Sequence, residues 1–484
     1  MRYFFYLSIL FLVSCKKEIT EKIIPQSTTA VIVDTTKQPT TPSFDGYRVD
    51  ENAINKYGAK YWYRMTPVMM DLVIQTFQTP NNVPNCYPCQ KNFINAGWAQ
   101  AITGDFNNDG YIDVFTWGAY PGINSSFLLW NKSTNKFEQN NLFNDKSFIP
   151  INGASKIIPC YLNGDKYVDM VMIPGDDEFA PIHIITSDGK GGYDVFKMTH
   201  ENITLPNGNQ VHWVPGSGDV GDLNGDGIPD LIIPANTYSL IYYGKNSAPY
   251  FNTKHDVFFA GDDLNFGIIS NNGFNERCSE CATNIRDFII EDVNNDGQND
   301  LIGLGPEEKQ GNEINHQKII LNQGKGRFNN NGVINLPLYN SNTPYACGDM
   351  VMLDDKKTLI GLIHQLPPYN FSDIVAYVPQ SDGTYKIDNT MFQFSSNPNT
   401  KTLADSYDRL IYYDFNGDGV KDIGYTNNQS GGEYGDYNPT TGEGNVMKLK
   451  TVFIRQGNQF VETPYYQFDT YANSLIPTLF ARFH

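Results

Sequence analysis

A nine-residue pattern with acidic or amide side chains at alternate positions recurs along this chain, and nothing else in its 484 residues restricts the fold as strongly. It stands complete four times, as Asp105-Phe106-Asn107-Asn108-Asp109-Gly110-Tyr111-Ile112-Asp113, Asp222-Leu223-Asn224-Gly225-Asp226-Gly227-Ile228-Pro229-Asp230, Asp292-Val293-Asn294-Asn295-Asp296-Gly297-Gln298-Asn299-Asp300 and Asp414-Phe415-Asn416-Gly417-Asp418-Gly419-Val420-Lys421-Asp422. Oxygen donors at positions 1, 3 and 5 converge only if the chain curls around one point, and Gly at position 6 permits that turn. The backbone carbonyl of position 7 (Tyr111, Ile228, Gln298, Val420) and the carboxylate of position 9 complete a shell of hard oxygens. Such a shell suits calcium better than magnesium or a softer metal. A degenerate copy from Tyr161 to Asp169 keeps Asn163, Asp165 and Asp169 but has Tyr at position 1 and Lys166 at position 6, so a weak cation site and a metal-independent hairpin both stand as readings.

The first positions of the copies are 105, 161, 222, 292 and 414, at intervals of 56, 61, 70 and 122. Because the last interval is twice 61, a further unit is expected near residue 354, where Met350 to Leu362 resembles the flanking strands with the loop shortened. About 30 residues after its loop each unit carries an apolar strand, a polar turn and an aromatic, as in Leu128-Leu129-Trp130-Asn131 leading to Phe137, Ile319-Ile320-Leu321-Asn322 leading to Phe328, and Phe453-Ile454-Arg455 leading to Phe460. That is a β-hairpin signal. Two hairpins in about 60 residues have the size of a four-stranded propeller blade. Composition agrees: 42 Gly and 27 Pro disfavour long helices, while 30 Tyr and 30 Phe favour strands, and the class is all-β.

These loops resemble the FG-GAP or VCBS repeats of integrin-α-type β-propellers, over about residues 97–466. The resemblance implies a propeller of six recognisable repeats with calcium held in blade hairpins through positions 1, 3, 5, 7 and 9. Residues 45–96 and 467–484 match no repeat; they either pair as a seventh blade or cap a six-bladed ring.

Residues 1–15 join one positive charge to an apolar run too short to span a bilayer. They end in Leu12-Val13-Ser14-Cys15, which resembles the lipobox of bacterial lipoproteins. The resemblance implies a lipidated Cys15 and, since Lys16 follows it, an outer-membrane address facing the cell surface or the periplasm. Residues 16–44 are rich in Thr, Pro and Lys and read as a flexible tether, leaving 45–484 for the propeller.

A net charge of -18 repels phosphate backbones and anionic lipid head groups, which excludes nucleic acid and leaves the lipid as the membrane contact. Cys86, Cys89, Cys278 and Cys281 form two Cys-x-x-Cys pairs that read as disulfides in an exported protein, with a four-thiolate zinc site as the alternative; Cys160 and Cys347 read as buried small residues. Gly216-Ser217-Gly218-Asp219-Val220-Gly221 matches a dinucleotide fingerprint literally, but the acidic loop begins where its helix should. Inserts at 197–215, 252–284, 305–316 and 426–448 offer ligand-binding loops, with Trp213, Tyr434 and Tyr437 as candidates to stack on sugars or anchor a protein. The expectation is a calcium-stabilised, lipid-anchored surface propeller that recognises a glycan or an envelope or extracellular protein, serving adhesion without catalysis. The alternative is a polysaccharide lyase or hydrolase using carboxylates such as Asp262, Asp263 or Glu307.

Overall fold

The structure, a computed structural model, describes residues 100–464 apart from several short stretches and the longer ones at 260–284, 395–409 and 429–446. Cys15 with the lipobox, the tether, the segments 45–96 and 467–484, Cys86, Cys89, Cys278, Cys281, Trp213, Tyr434, Tyr437, Asp262, Asp263, Asp414, Asn416 and Asp418 lie outside the described residues. Among the described residues no helix is long and apolar enough to cross a membrane.

Among the described residues six sheets of four or five strands follow one another along the chain, each built on four antiparallel strands in sequence order, and these are the propeller blades. Blade one comprises Gln100–Gly104, Asp113–Trp117, Ser126–Asn131 and Lys136–Asn140. Blade two comprises Ala154–Cys160, Asp169–Pro174, Ile182–Ser187 and Tyr193–Met198. Blade three comprises Asp219–Gly221, Asp230–Ala235, Tyr238–Gly244 and Phe251–Phe259. Blade four comprises Asp287–Glu291, Asp300–Leu304, Lys318–Ile320 and Val333–Asn335. Blade five comprises Tyr345–Met352, Leu359–Gln365, Ser372–Pro379 and Tyr385–Ile387. Blade six comprises Leu410–Tyr413, Asp422–Asn428, Met447–Gln456 and Gln459–Pro464.

Blade five sits where the doubled interval places it. Its first hairpin closes with Met352 opposite Leu359, whereas in the other blades an Asp occupies the corresponding place: Gly104 faces Asp113, Cys160 faces Asp169, Gly221 faces Asp230, Glu291 faces Asp300 and Tyr413 faces Asp422. The shortened loop is closed by Asp355, which accepts from the N–H groups of Lys357 and Thr358 at 3.0 and 2.8 Å.

The core lies between consecutive blades. Phe106, Phe115 and Phe127 of blade one pack against Met170, Met172 and Ile185 of blade two. Val171, Ile173 and Ile184 on the other face of blade two meet Leu231, Ile233 and Leu240 of blade three, and the same sandwiching continues through blade six. This explains why Asp169–Pro174 and Ile182–Ser187 are buried at every residue and do not alternate. A strand covered on both faces reads as one apolar run, whereas the outermost strand, Tyr193–Met198, shows exposed positions.

Several details depart from the sequence expectation. Phe328 is buried in the turn ahead of a short 3-10 segment, Asn330–Gly332, and does not open a strand. The stretch 252–284 is in part the outermost strand of blade three, and 426–448 includes the ends of two blade-six strands. Small hairpins occupy parts of 197–215 and 305–316, pairing Ile203–Thr204 with Gln210–Val211 and Lys309–Gln310 with Glu313–Ile314. Pro306–Glu307 also adds to the inner strand of blade five, so blades four and five share main-chain hydrogen bonds. Along the outer edge of blade six, Phe392–Gln393 runs parallel to Phe460–Val461, and Phe143 bridges Tyr193 of blade two in the same sense. Cys160 and Cys347 are buried, as read from the sequence.

Candidate metal loops

The loops at 105–113, 222–230 and 292–300 fold in one way. The carboxylate of position 1 accepts from the N–H of position 6: Gly110 to Asp105 at 3.0 Å, Gly227 to Asp222 at 2.8 Å, Gly297 to Asp292 at 3.0 Å. The Asn of position 3 accepts from the N–H of position 5, as Asp109 does to Asn107, Asp226 to Asn224 and Asp296 to Asn294, at 3.0, 2.8 and 2.9 Å. Position 5 in turn accepts from the N–H of position 7, that of Tyr111, Ile228 and Gln298. This coil needs a left-handed residue at position 6, supplied by Gly110, Gly227, Gly297 and Gly419 with φ from 81° to 85°. It needs a second at position 4, where Asn108, Gly225 and Asn295 have φ of 58°, 78° and 59°. Position 4 is Asn or Gly in every copy, a signal present in the sequence and passed over there.

Position 9 has a second task that the ligand reading did not supply. Asp113 accepts from the N–H of Phe106 at 3.1 Å and of Trp130 at 2.8 Å, so one buried carboxylate joins the loop to the third strand. Asp230 does the same with Leu223 and Gly244, and Asp300 with Val293 and Asn322. Asp169 repeats the pattern with Leu162 and Ser187 in the degenerate loop, where position 1 is Tyr161. The pin is therefore independent of a complete donor set. In that loop Asn163 donates to Asp165 and to the carbonyl of Ser187, closing the turn from within. At the fourth complete copy, Asp422 accepts from Arg455 N–H at 2.8 Å and Val420 is exposed.

Electrostatically the loops concentrate negative charge. Burial, reinforced by Asp226 and Asp222, pushes Asp230 up to about 7; burial and Asp296 push Asp300 up to about 6. Asp169 is pushed up to about 7 mainly by burial, and burial carries Asp113 well above the carboxylate range. Among the described residues no Asp of the three loops has an ion-pair partner. Also among the described residues, no three Asp, Glu, His or Cys side chains gather into a metal cluster. The donors nevertheless fit a hard divalent cation in kind: carboxylates, an amide oxygen and carbonyls, with no nitrogen or sulfur ligand. A carboxylate oxygen that accepts one N–H keeps a lone pair for such an ion.

A different use of charge appears on the inner strands. Lys156 of blade two is wholly buried, and its Nζ lies 3.0 and 3.2 Å from the carboxylate oxygens of Asp287 in blade four and 2.6 Å from the carbonyl of Gly218. Ser217 donates its hydroxyl to the same carboxylate. Asp219 accepts from Ile290 N–H and Asp349 from Leu410 N–H, each spanning two blades at 2.9 Å. These buried acids hold blades together. Glu307, the one expected acid–base candidate within the described residues, lies on the short strand paired with Tyr345.

A pocket of about 460 Å³ lies beside blade two's outermost strand and is lined by Asp145, Phe148, Asp194, Val195, Phe196 and Lys197.

Residues 214–251 match the FG-GAP repeat family. No curated protein matches the chain. Among solved structures, an Agrocybe aegerita lectin described as recognising non-reducing terminal N-acetylglucosamine aligns at 13% identity over 75% of this chain and 79% of its own, with a TM-score of 0.40. A 6-phosphogluconolactonase-like protein of Bacteroides fragilis aligns at 11% over 76% and 94%, TM-score 0.37, and a periplasmic gluconolactonase of Pseudomonas aeruginosa at 11% over 75% and 95%, TM-score 0.38. At these identities and scores the likenesses carry no argument about activity. The matched stretch covers the first three strands of the third blade with its acidic loop and ends where the fourth strand begins, so the chain is an all-β propeller that carries an FG-GAP repeat in its third blade.

Proposed function

We propose that this propeller is a calcium-stabilised recognition module, held at the outer membrane through a lipid on Cys15, that binds a glycan or an envelope or extracellular protein without transforming it. The observation that carries the calcium part is the threefold recurrence of one loop geometry whose carboxylates have no basic partner among the described residues. In this reading Asp105, Asn107, Asp109, the Tyr111 carbonyl and Asp113 hold one ion, and the matching residues of 222–230, 292–300 and 414–422 hold the others. The ion supplies positive charge that cancels the repulsion within each loop. Binding without chemistry is supported by the buried acids of the inner strands, since Asp219, Asp287 and Asp349 are committed to hydrogen bonds between blades.

The deciding experiment is an array of glycans and envelope proteins probed with the purified chain in calcium, each captured compound then being assayed for turnover. Capture with the ligand recovered intact is the expected result. Consumption of a captured polysaccharide, abolished by one Asp or Glu outside the loops, would replace recognition with a lyase or hydrolase activity.

A further inference from the structure

Blades three and four carry adjacent complete loops, and the side chains between them form a continuous bridge. Asn299, position 8 of the blade-four loop, donates through Nδ2 to the carbonyl of Asp222, position 1 of the blade-three loop, at 2.8 Å. Asn322, just past blade four's third strand, donates to the carbonyl of Leu223 at 2.7 Å and to that of Asn299 at 3.0 Å. The N–H of Asn322 is itself held by Asp300, position 9 of the blade-four loop, at 2.8 Å. Asn322 is 4% exposed, so these bonds form away from water.

The turn that follows Asn322 touches both loops as well. Its Gly326 lies so close that a Cβ there would sit 3.3 Å from the Leu223 carbonyl and 3.4 Å from Asn224, position 3 of the blade-three loop. Lys325 N–H donates to the side chain of Gln298, position 7 of the blade-four loop, at 3.2 Å. Both loops therefore contact one and the same turn.

We infer that Asn322 is a positioning residue that couples cation binding in the 222–230 loop to cation binding in the 292–300 loop. The inference rests on the calcium reading above. Asp300, were it to hold an ion, would do so while accepting from Asn322 N–H, and Asn322 would hold the carbonyls of Leu223 and Asn299 and, through Asn299, that of Asp222. The second ion then meets a loop already ordered. Elsewhere the contact between neighbouring blades differs: blade two reaches the first loop through Tyr193 Oη on the Phe106 carbonyl, and blade two's own loop is the degenerate one.

The test is hydrogen exchange on the full chain during a calcium titration, following 105–113, 222–230 and 292–300 separately. With Asp226→Ala, the midpoint for 292–300 should rise about 5-fold or more, a typical coupling between sites. Linkage requires Asp296→Ala to raise the midpoint for 222–230 by the same factor. Asn322→Ala should cut both shifts below about 2-fold while leaving 105–113 unchanged, which also reports that the variant is folded. Should that variant unfold, Asn299→Ala removes the Asp222 contact alone and should reduce both shifts in part. An unmoved 292–300 midpoint in Asp226→Ala, or full coupling in the folded Asn variants, would overturn the inference while leaving calcium binding intact. Absence of calcium protection in all three loops of the unmodified chain would instead remove the calcium reading on which it stands.

Discussion

Replacing Lys156 with Met tests whether the inner strands are held by a buried ion pair. The ammonium and the Asp287 carboxylate are 0% and 7% exposed and 3.0 Å apart, and the ammonium also reaches Gly218 and Ser217. Met fills most of the volume but takes the ammonium away from the buried Asp287 carboxylate, which also accepts from the N–H of Phe288 and the hydroxyl of Ser217. Breaking a buried pair from one side costs about 3–5 kcal/mol. With an unfolding entropy of about 2.1 cal/mol/K per residue, a body of this size loses about 4–5 °C in Tm for about 4 kcal/mol. Calorimetry in saturating calcium measures the shift, and hydrogen exchange should show it first at Asp219–Gly221 and Asp287–Glu291. Lys156→Met combined with Asp287→Leu should recover most of the loss, because the uncompensated charge is gone. A single variant within 1 °C (about 1 kcal/mol) of the parent, or a double variant no better than the single, would refute the argument. The exposed pair Lys421–Asp354, at 3.2 Å with side chains 18% and 38% exposed, is the contrast, and Lys421→Ala should cost no more than about 1 kcal/mol.

Chelation should lower the Tm steeply: at a Kd of about 0.1 mM and about 2 mM calcium each filled loop adds about 1.8 kcal/mol, and an EDTA melt that overlays the calcium melt would end the assignment. Asp226→Ala should reproduce part of that loss. Burial, aided by Lys197, pushes His183 down to about 4 from 6.5, so its contribution is complete above pH 6.5 and is lost as the pH falls toward 4. That loss reaches about 3 kcal/mol, and His183→Leu should flatten this limb of a pH–stability profile. Cys15→Ser should yield unlipidated protein that leaves the outer-membrane fraction; unchanged fractionation would count against the lipobox.

The repeat, its period and the hairpins were legible in the sequence because each is local. A loop must place its donors within nine residues, and a hairpin its turn between two strands. Even the blade near Asp354, whose loop is too short to carry the nine-residue pattern, is legible from the spacing. What was not legible depends on partners far along the chain. The commitment of Asp287 to Lys156 joins residues 131 apart, and nothing near either announces it. The pairing of Pro306–Glu307 with blade five likewise has no local signal. Position 9 looked like a ligand alone because its two N–H donors lie at different sequence distances, such as 7 and 17 residues for Asp113.

The parallel segments on the outer edges of blades two and six come from chain that precedes each blade: Phe143 precedes Tyr193 by fifty residues, and Phe392 precedes Phe460 by sixty-eight. On a ribosome these clips emerge before the strands they cover, so the outermost strand of each of these two blades finds its cover already made and is not left open to a neighbouring nascent chain. The same order dictates where the chain can be cut. A fragment that starts at Leu410 keeps all four strands of blade six but abandons Phe392–Gln393, leaving Gln459–Pro464 as a bare edge prone to self-association. Moving the cut to a point before Asp388 retains the clip, and the unit of inheritance for shuffling or truncating this protein is a blade together with the linker ahead of it.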